Sequence, residues 1–60
     1  MRVLSITELM RLTRGELCGL ETEVKVALAE HPAASPERYM AERNLLSIRR
    51  VLAWYDLAPE

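Results

Sequence analysis

The chain has 60 residues, half of them hydrophobic and 28% charged, and its eight basic and nine acidic side chains leave a formal net charge of −1. That balance excludes a disordered polyelectrolyte and argues against a dedicated nucleic-acid binder, which carries a basic excess. A single cysteine excludes an internal disulfide, and no apolar run approaches the ~18 residues a membrane helix needs.

A domain of this size buries only about 60% of the surface its unfolded chain exposes, so folding leans on strong local helix signals, a partner chain, or both. A core this small leaves little room for an active site and its supporting shell. A non-enzymatic role without cofactor or metal is therefore expected. The lone thiol, Cys18, fits a reducing compartment, and polar Ser5, Thr7 and Glu8 interrupt any signal-peptide core, so the expected location is cytoplasmic.

In chain order, two copies of one helix-start pattern come first. Leu4-Ser5-Ile6-Thr7-Glu8-Leu9 is matched eight residues later by Leu12-Thr13-Arg14-Gly15-Glu16-Leu17. Ser5 and Thr13 offer side-chain oxygens to orphan backbone N–H groups, and Glu8 and Glu16 can reach back to the cap's own N–H. Leu4 with Leu9, and Leu12 with Leu17, have the spacing of a hydrophobic staple. The pattern predicts a short helix over about 6–12, a sharp corner at Thr13, and a second helix over 14–30.

The second helix carries Leu17, Leu20, Val24, Ala27 and Leu28 on one face, with Cys18 beside that stripe as a small packing residue. Gly15 and Gly19 lower its helix propensity near the start, and Pro32 closes it. Ser35-Pro36-Glu37 then opens a third helix: serine as cap, proline where its missing N–H costs nothing, glutamate at the positive helix end. This helix is expected over 36–56. No strand pattern competes, so the fold class is all-α: a short N-terminal helix followed by an antiparallel helical hairpin, as one domain over 1–60.

The third helix has two apolar faces. Ala41, Leu45, Ile48, Leu52 and Tyr55, with Val51 beside them, form the expected seam toward the second helix. Tyr39, Leu46, Ala53 and Leu57 line the opposite side, with Trp54 at its edge and Arg43 and Arg50 interleaved. A two-helix hairpin cannot bury both faces. Either the first helix folds over part of the second face, or that face contacts a protein partner or another copy of the chain, as in a homodimer. Tyr, Trp and Arg are the side chains enriched at interface hot spots, so Tyr39, Arg43, Leu46, Arg50, Trp54 and Leu57 are the candidate partner-binding residues.

Chemistry has few candidates. The only histidine, His31, stands at a helix end beside proline, about thirteen residues and roughly 20 Å along one helix from Cys18, too far for proton transfer. No metal-ligand spacing or phosphate loop is present. A short helix, a corner and a second helix also outline a helix-turn-helix, which is the alternative reading: a DNA-binding transcriptional regulator. Its recognition helix would present Glu16 and Glu23 with only Arg14 and Lys25 basic, opposing the electrostatic term that supplies most DNA affinity.

The stretches Leu4-Ser5-Ile6-Thr7-Glu8-Leu9-Met10-Arg11-Leu12-Thr13-Arg14 and Ser35-Pro36-Glu37-Arg38, with Ile48-Arg49-Arg50-Val51-Leu52-Ala53 and Asp56-Leu57-Ala58-Pro59, resemble a family of very short proteins of proteobacterial plasmids and integrative elements. The resemblance covers most of the chain. It implies a mobile-element setting rather than an activity, and no site residue carries over from it. After Ala53 this chain has Trp54-Tyr55 where the family carries charged residues, which enlarges the second apolar face here. In that setting the expected role is a small inhibitor or regulator of a protein machine, of the anti-CRISPR or antiactivator kind.

Overall fold

The computed structural model describes residues 2–57, which form three helices and no strand: α1, Ile6–Leu9; α2, Arg14–Glu30; and α3, Pro36–Leu57. Both helix-start patterns fold as capping boxes. Ser5 Oγ accepts from Glu8 N–H at 3.1 Å and Thr13 Oγ1 from Glu16 N–H at 3.1 Å, while each glutamate accepts from the cap's backbone N–H. The stapled residues behave as their spacing requires. Leu9 and Leu17 are fully buried, and Leu4 and Leu12 pack against the core.

The first helix is shorter than expected, ending at Leu9 rather than near residue 12. Its last bonds tighten: Arg11 N–H donates to Glu8 O at 3.3 Å and Leu12 N–H to Leu9 O at 3.1 Å, each only three residues back. That tightening turns the chain fast enough for Thr13 to take the extended backbone of a cap, at φ −71° and ψ 163°. The Tyr55 hydroxyl fixes the corner from α3, donating to Leu12 O at 2.9 Å.

Between α2 and α3 the connection is held by its own polar atoms. Ser35 Oγ accepts from Arg38 N–H at 3.2 Å and donates to Pro32 O at 2.8 Å. The Arg38 guanidinium reaches back to Leu28 O at 2.9 Å, satisfying a carbonyl the end of α2 leaves open. Arg49 with Glu21 and Arg14 with Asp56 then join the two long helices as ion pairs.

The core is a single line of Leu9, Leu17, Val24, Ala41, Ile48 and Val51. On α3 this line is displaced from the expected seam. Asn44 and Val51 are buried beside Ala41 and Ile48, whereas Leu45 and Leu52 are only half-buried and Tyr55 is exposed. The shift is roughly 40° around the helix at ~100° per residue. It arises because α3 has neighbours on two sides: α2 along the Leu45–Leu52 edge, α1 and the segment before it along the Asn44–Val51 edge. Cys18, expected to pack, is instead exposed.

Asn44 is the one buried polar side chain among the described residues. Its carboxamide clamps the extended segment preceding α1: Oδ1 accepts from Leu4 N–H at 2.7 Å and Nδ2 donates to Arg2 O at 2.8 Å. Both atoms of the amide are thus satisfied by one strand of backbone, which lays α1 against α3. The molecule is a rod of 41 × 18 × 15 Å, a cross-section about two helices wide.

Thr13→Ala removes the acceptor for Glu16 N–H at the corner and is expected to lower stability by about 1 kcal/mol in thermal melts. Asn44→Ala leaves Leu4 N–H and Arg2 C=O without their partner. It should cost about 1–3 kcal/mol in urea unfolding and strip hydrogen-exchange protection from the Leu4 amide.

Candidate protein-interaction face

The rod's cross-section decides which surfaces stay open. Each long helix buries the face turned to its neighbour, and α1 closes one further flank of α3. The residues singled out from the sequence all lie on the side of α3 that remains. Tyr39 is 61% exposed, Leu46 63%, Trp54 48% and Leu57 81%, and Arg43 and Arg50 are exposed between them. The short first helix therefore covers none of the centre of this face.

What α1 does is form one wall of it. Ile6 of α1 and Arg43, Leu46, Ser47 and Arg50 of α3 line a groove of about 250 Å³. Further along the same flank, toward the end of α3, lies an apolar cleft of about 190 Å³ between Met10, Val51, Trp54 and Tyr55. Sequence reasoning missed Met10, which is 54% exposed. It sits at the cap of α1, beyond the helical periodicity that identified the other residues, and only the corner folds it toward Trp54. Ile6 reads in the sequence as part of a helix start and joins this surface only through the fold.

Adjacent aromatic residues have different roles. Tyr55 and Trp54 point about 100° apart. Tyr55 anchors the corner through its hydroxyl, and Trp54 stands at the rim of the face.

The charges sort into committed and uncommitted groups. Arg2 pairs with Glu8, Arg14 with Asp56, Lys25 with Glu21, Arg38 with Glu42, and Arg49 with Glu21. Among the described residues, Arg11, Arg43 and Arg50 are the basic side chains outside any ion pair. Two of these three stand on the open face of α3. On α2, Glu23 and Glu30 are likewise exposed and outside any ion pair.

Glu8 carries the largest titration shift. The Arg2 guanidinium, followed by the Ser5 backbone N–H, holds its carboxyl down at about 2. Glu16 is lowered in the same direction, first by the Thr13 backbone N–H and then by the Thr13 hydroxyl. Neither group lies on the open face of α3, so the shifts belong to the helix starts.

Among the described residues no group of three His, Cys, Asp or Glu side chains could hold a metal ion, and no helix is long and apolar enough to cross a membrane. The helix-turn-helix outline also meets a different geometry. Helix α1 packs mainly on α3, with only weak contact to α2, whereas a DNA-binding pair packs its two helices on each other. Arg14, one of the two basic residues on α2, is tied to Asp56. Comparison with protein-family models, curated proteins and solved structures finds no match to this chain.

A depressed carboxylate adds stability above its unfolded value, and that contribution disappears as pH falls through the folded value. For Glu8 the window runs from 4.5 down to about 2. Across it, the amide resonances of Glu8 and Leu9 should shift toward unfolded positions in an NMR titration before those of α3 move. Glu8→Gln should abolish this early transition.

Proposed function

We propose that the protein is a small non-enzymatic protein-interaction module that docks through the outer face of α3, with Tyr39, Arg43, Leu46, Arg50, Trp54 and Leu57 as contact residues. One observation carries this reading: four large apolar side chains along one helical stripe stay at least 48% exposed, while only six hydrophobic side chains among the described residues are buried. Leaving such a contiguous patch in water invites aggregation unless something covers it, and its Tyr, Trp and Arg content matches the side chains that dominate binding energy. In the mobile-element setting that the sequence resembles, the concrete form is an inhibitor or regulator of a protein machine acting in the cytoplasm. No observation of its own favours DNA recognition.

Leu46→Glu and Trp54→Ala should each weaken association by about 2 kcal/mol or more while leaving circular dichroism unchanged, because neither side chain contributes to the core. The partner surface is located by placing a photo-activatable residue at position 46 or at position 33, in the loop, and irradiating cells that express the chain. Protein adducts are expected from position 46 and absent from position 33. Equal yields from the two positions would show that the outer face of α3 is not the interface.

A further inference from the structure

The open face of α3 has a chemical complement on the same molecule. Arg43 and Arg50 stand seven residues apart, two helical turns or about 10 Å, with apolar Leu46 beside them. Glu23 and Glu30 of α2 stand at the same separation on the outer side of that helix, with half-exposed Val26 beside them. None of these four charges is in an ion pair among the described residues. Both pairs also lie on the same flank of their apolar centre. Two helices with matching flanks bring their charges together when they run antiparallel, as like positions meet across an antiparallel seam.

Resting on the docking face just described, we propose that the outer face of α3 docks antiparallel on the outer face of α2 of a second copy, pairing Arg43 with Glu30 and Arg50 with Glu23 of that copy. The register brings Trp54 level with Gly19 of the second copy, so the largest side chain of one face meets the smallest of the other. Space is available there: a Cβ built on Gly15 or Gly19 would meet nothing within 4 Å, and neither glycine has a positive φ. Within one chain these glycines only lower the helix propensity of α2. Against a neighbouring helix they admit a close approach.

The arrangement repeats between chains what α2 and α3 already do within one. There too the helices run antiparallel, and an arginine of α3, Arg49, meets a glutamate of α2, Glu21. A symmetric face-to-face dimer through α3 would instead bring together two copies of the same arginine pair, since Glu42 is held by Arg38 and Asp56 by Arg14. The contact joins unlike surfaces, so each copy keeps a free α3 face at one edge and a free α2 face at the other, and assembly continues beyond two. A rod face of 41 by 15 Å bounds the area at about 1,200 Å² in total, the low end for a specific interface, so association is weak and concentration-dependent.

Sedimentation equilibrium of the full chain from about 10 µM to about 1 mM covers that range. The mean mass is expected to rise past the dimer and to fall back as salt increases, because the pairs are exposed. The double variant Arg43→Glu/Arg50→Glu and the double variant Glu23→Arg/Glu30→Arg should each weaken association at least tenfold, with helical content unchanged. Mixing the two restores it, because each then offers the other the charge it lacks. A chain that stays monomeric at all concentrations overturns the proposal, as does a dimer indifferent to Glu23→Arg/Glu30→Arg, or double variants that do not recover on mixing. Adducts from position 46 to a different protein, with the chain itself monomeric, would overturn this pairing and leave the docking face intact.

Discussion

A rod two helices wide can bury one face of each long helix, and the rest of the structure follows from that limit. With a cross-section of 18 × 15 Å there is no third full-length element to cover α2 or α3 from outside. The core is accordingly a line of six residues rather than a volume. Each of the three helices contributes to it, so losing any one exposes the others. In such a molecule the helix starts and the corner carry a large share of the specification, because packing alone has few side chains to work with.

Asn44 shows how a core this thin uses a polar side chain. Its neighbours along the buried line are Ala41, Ile48 and Val51, and an apolar residue in its place would extend that line. The carboxamide instead binds the backbone of Arg2 and Leu4 in both directions, donating and accepting. That backbone would otherwise lie part-buried with unmet hydrogen bonds, at a cost greater than an average hydrogen bond contributes. The clamp also fixes the direction from which the chain enters α1. It is thus the element that commits α1 to α3 and away from α2.

The caps, corner and helix limits were legible because they depend on residues close together in sequence. Ser5 with Glu8, Thr13 with Glu16, and Ser35 with Pro36 each define a start within four residues, and α2 begins and ends where those signals place it. The end of α1 was not legible, since it is set by the room the corner needs and by Tyr55, more than forty residues away. The buried line on α3 was displaced for a similar reason. Periodicity locates the centre of the apolar residues, while burial follows the neighbours. Once α1 docks beside Val51, the most enclosed direction lies between two partners instead of facing one. Asn44 had no signal of its own, because a lone asparagine within a helix reads as a surface residue. The candidate face was legible as six residues on one side of α3, since nothing in the fold competes for them. Ile6 and Met10 at its edges required the fold.

The distribution of ion pairs separates what holds the hairpin together from what faces outward. Arg14, Arg38 and Arg49 all serve the boundary between α2 and α3 or its closing loop, each reaching a group on the other helix or the turn. Exposed pairs of this kind contribute little energy individually. Their placement is still informative, because among the described residues Arg43 and Arg50 are left outside any ion pair. An arginine without a partner beside exposed leucine and tyrosine can bury its aliphatic stem against them and present its planar donors to an incoming carboxylate. A lysine at either position would keep the charge and lose that fork. The outer face of α3 therefore combines apolar area with directional donors, while Glu23 and Glu30, exposed and outside any ion pair among the described residues, stand on the other long helix.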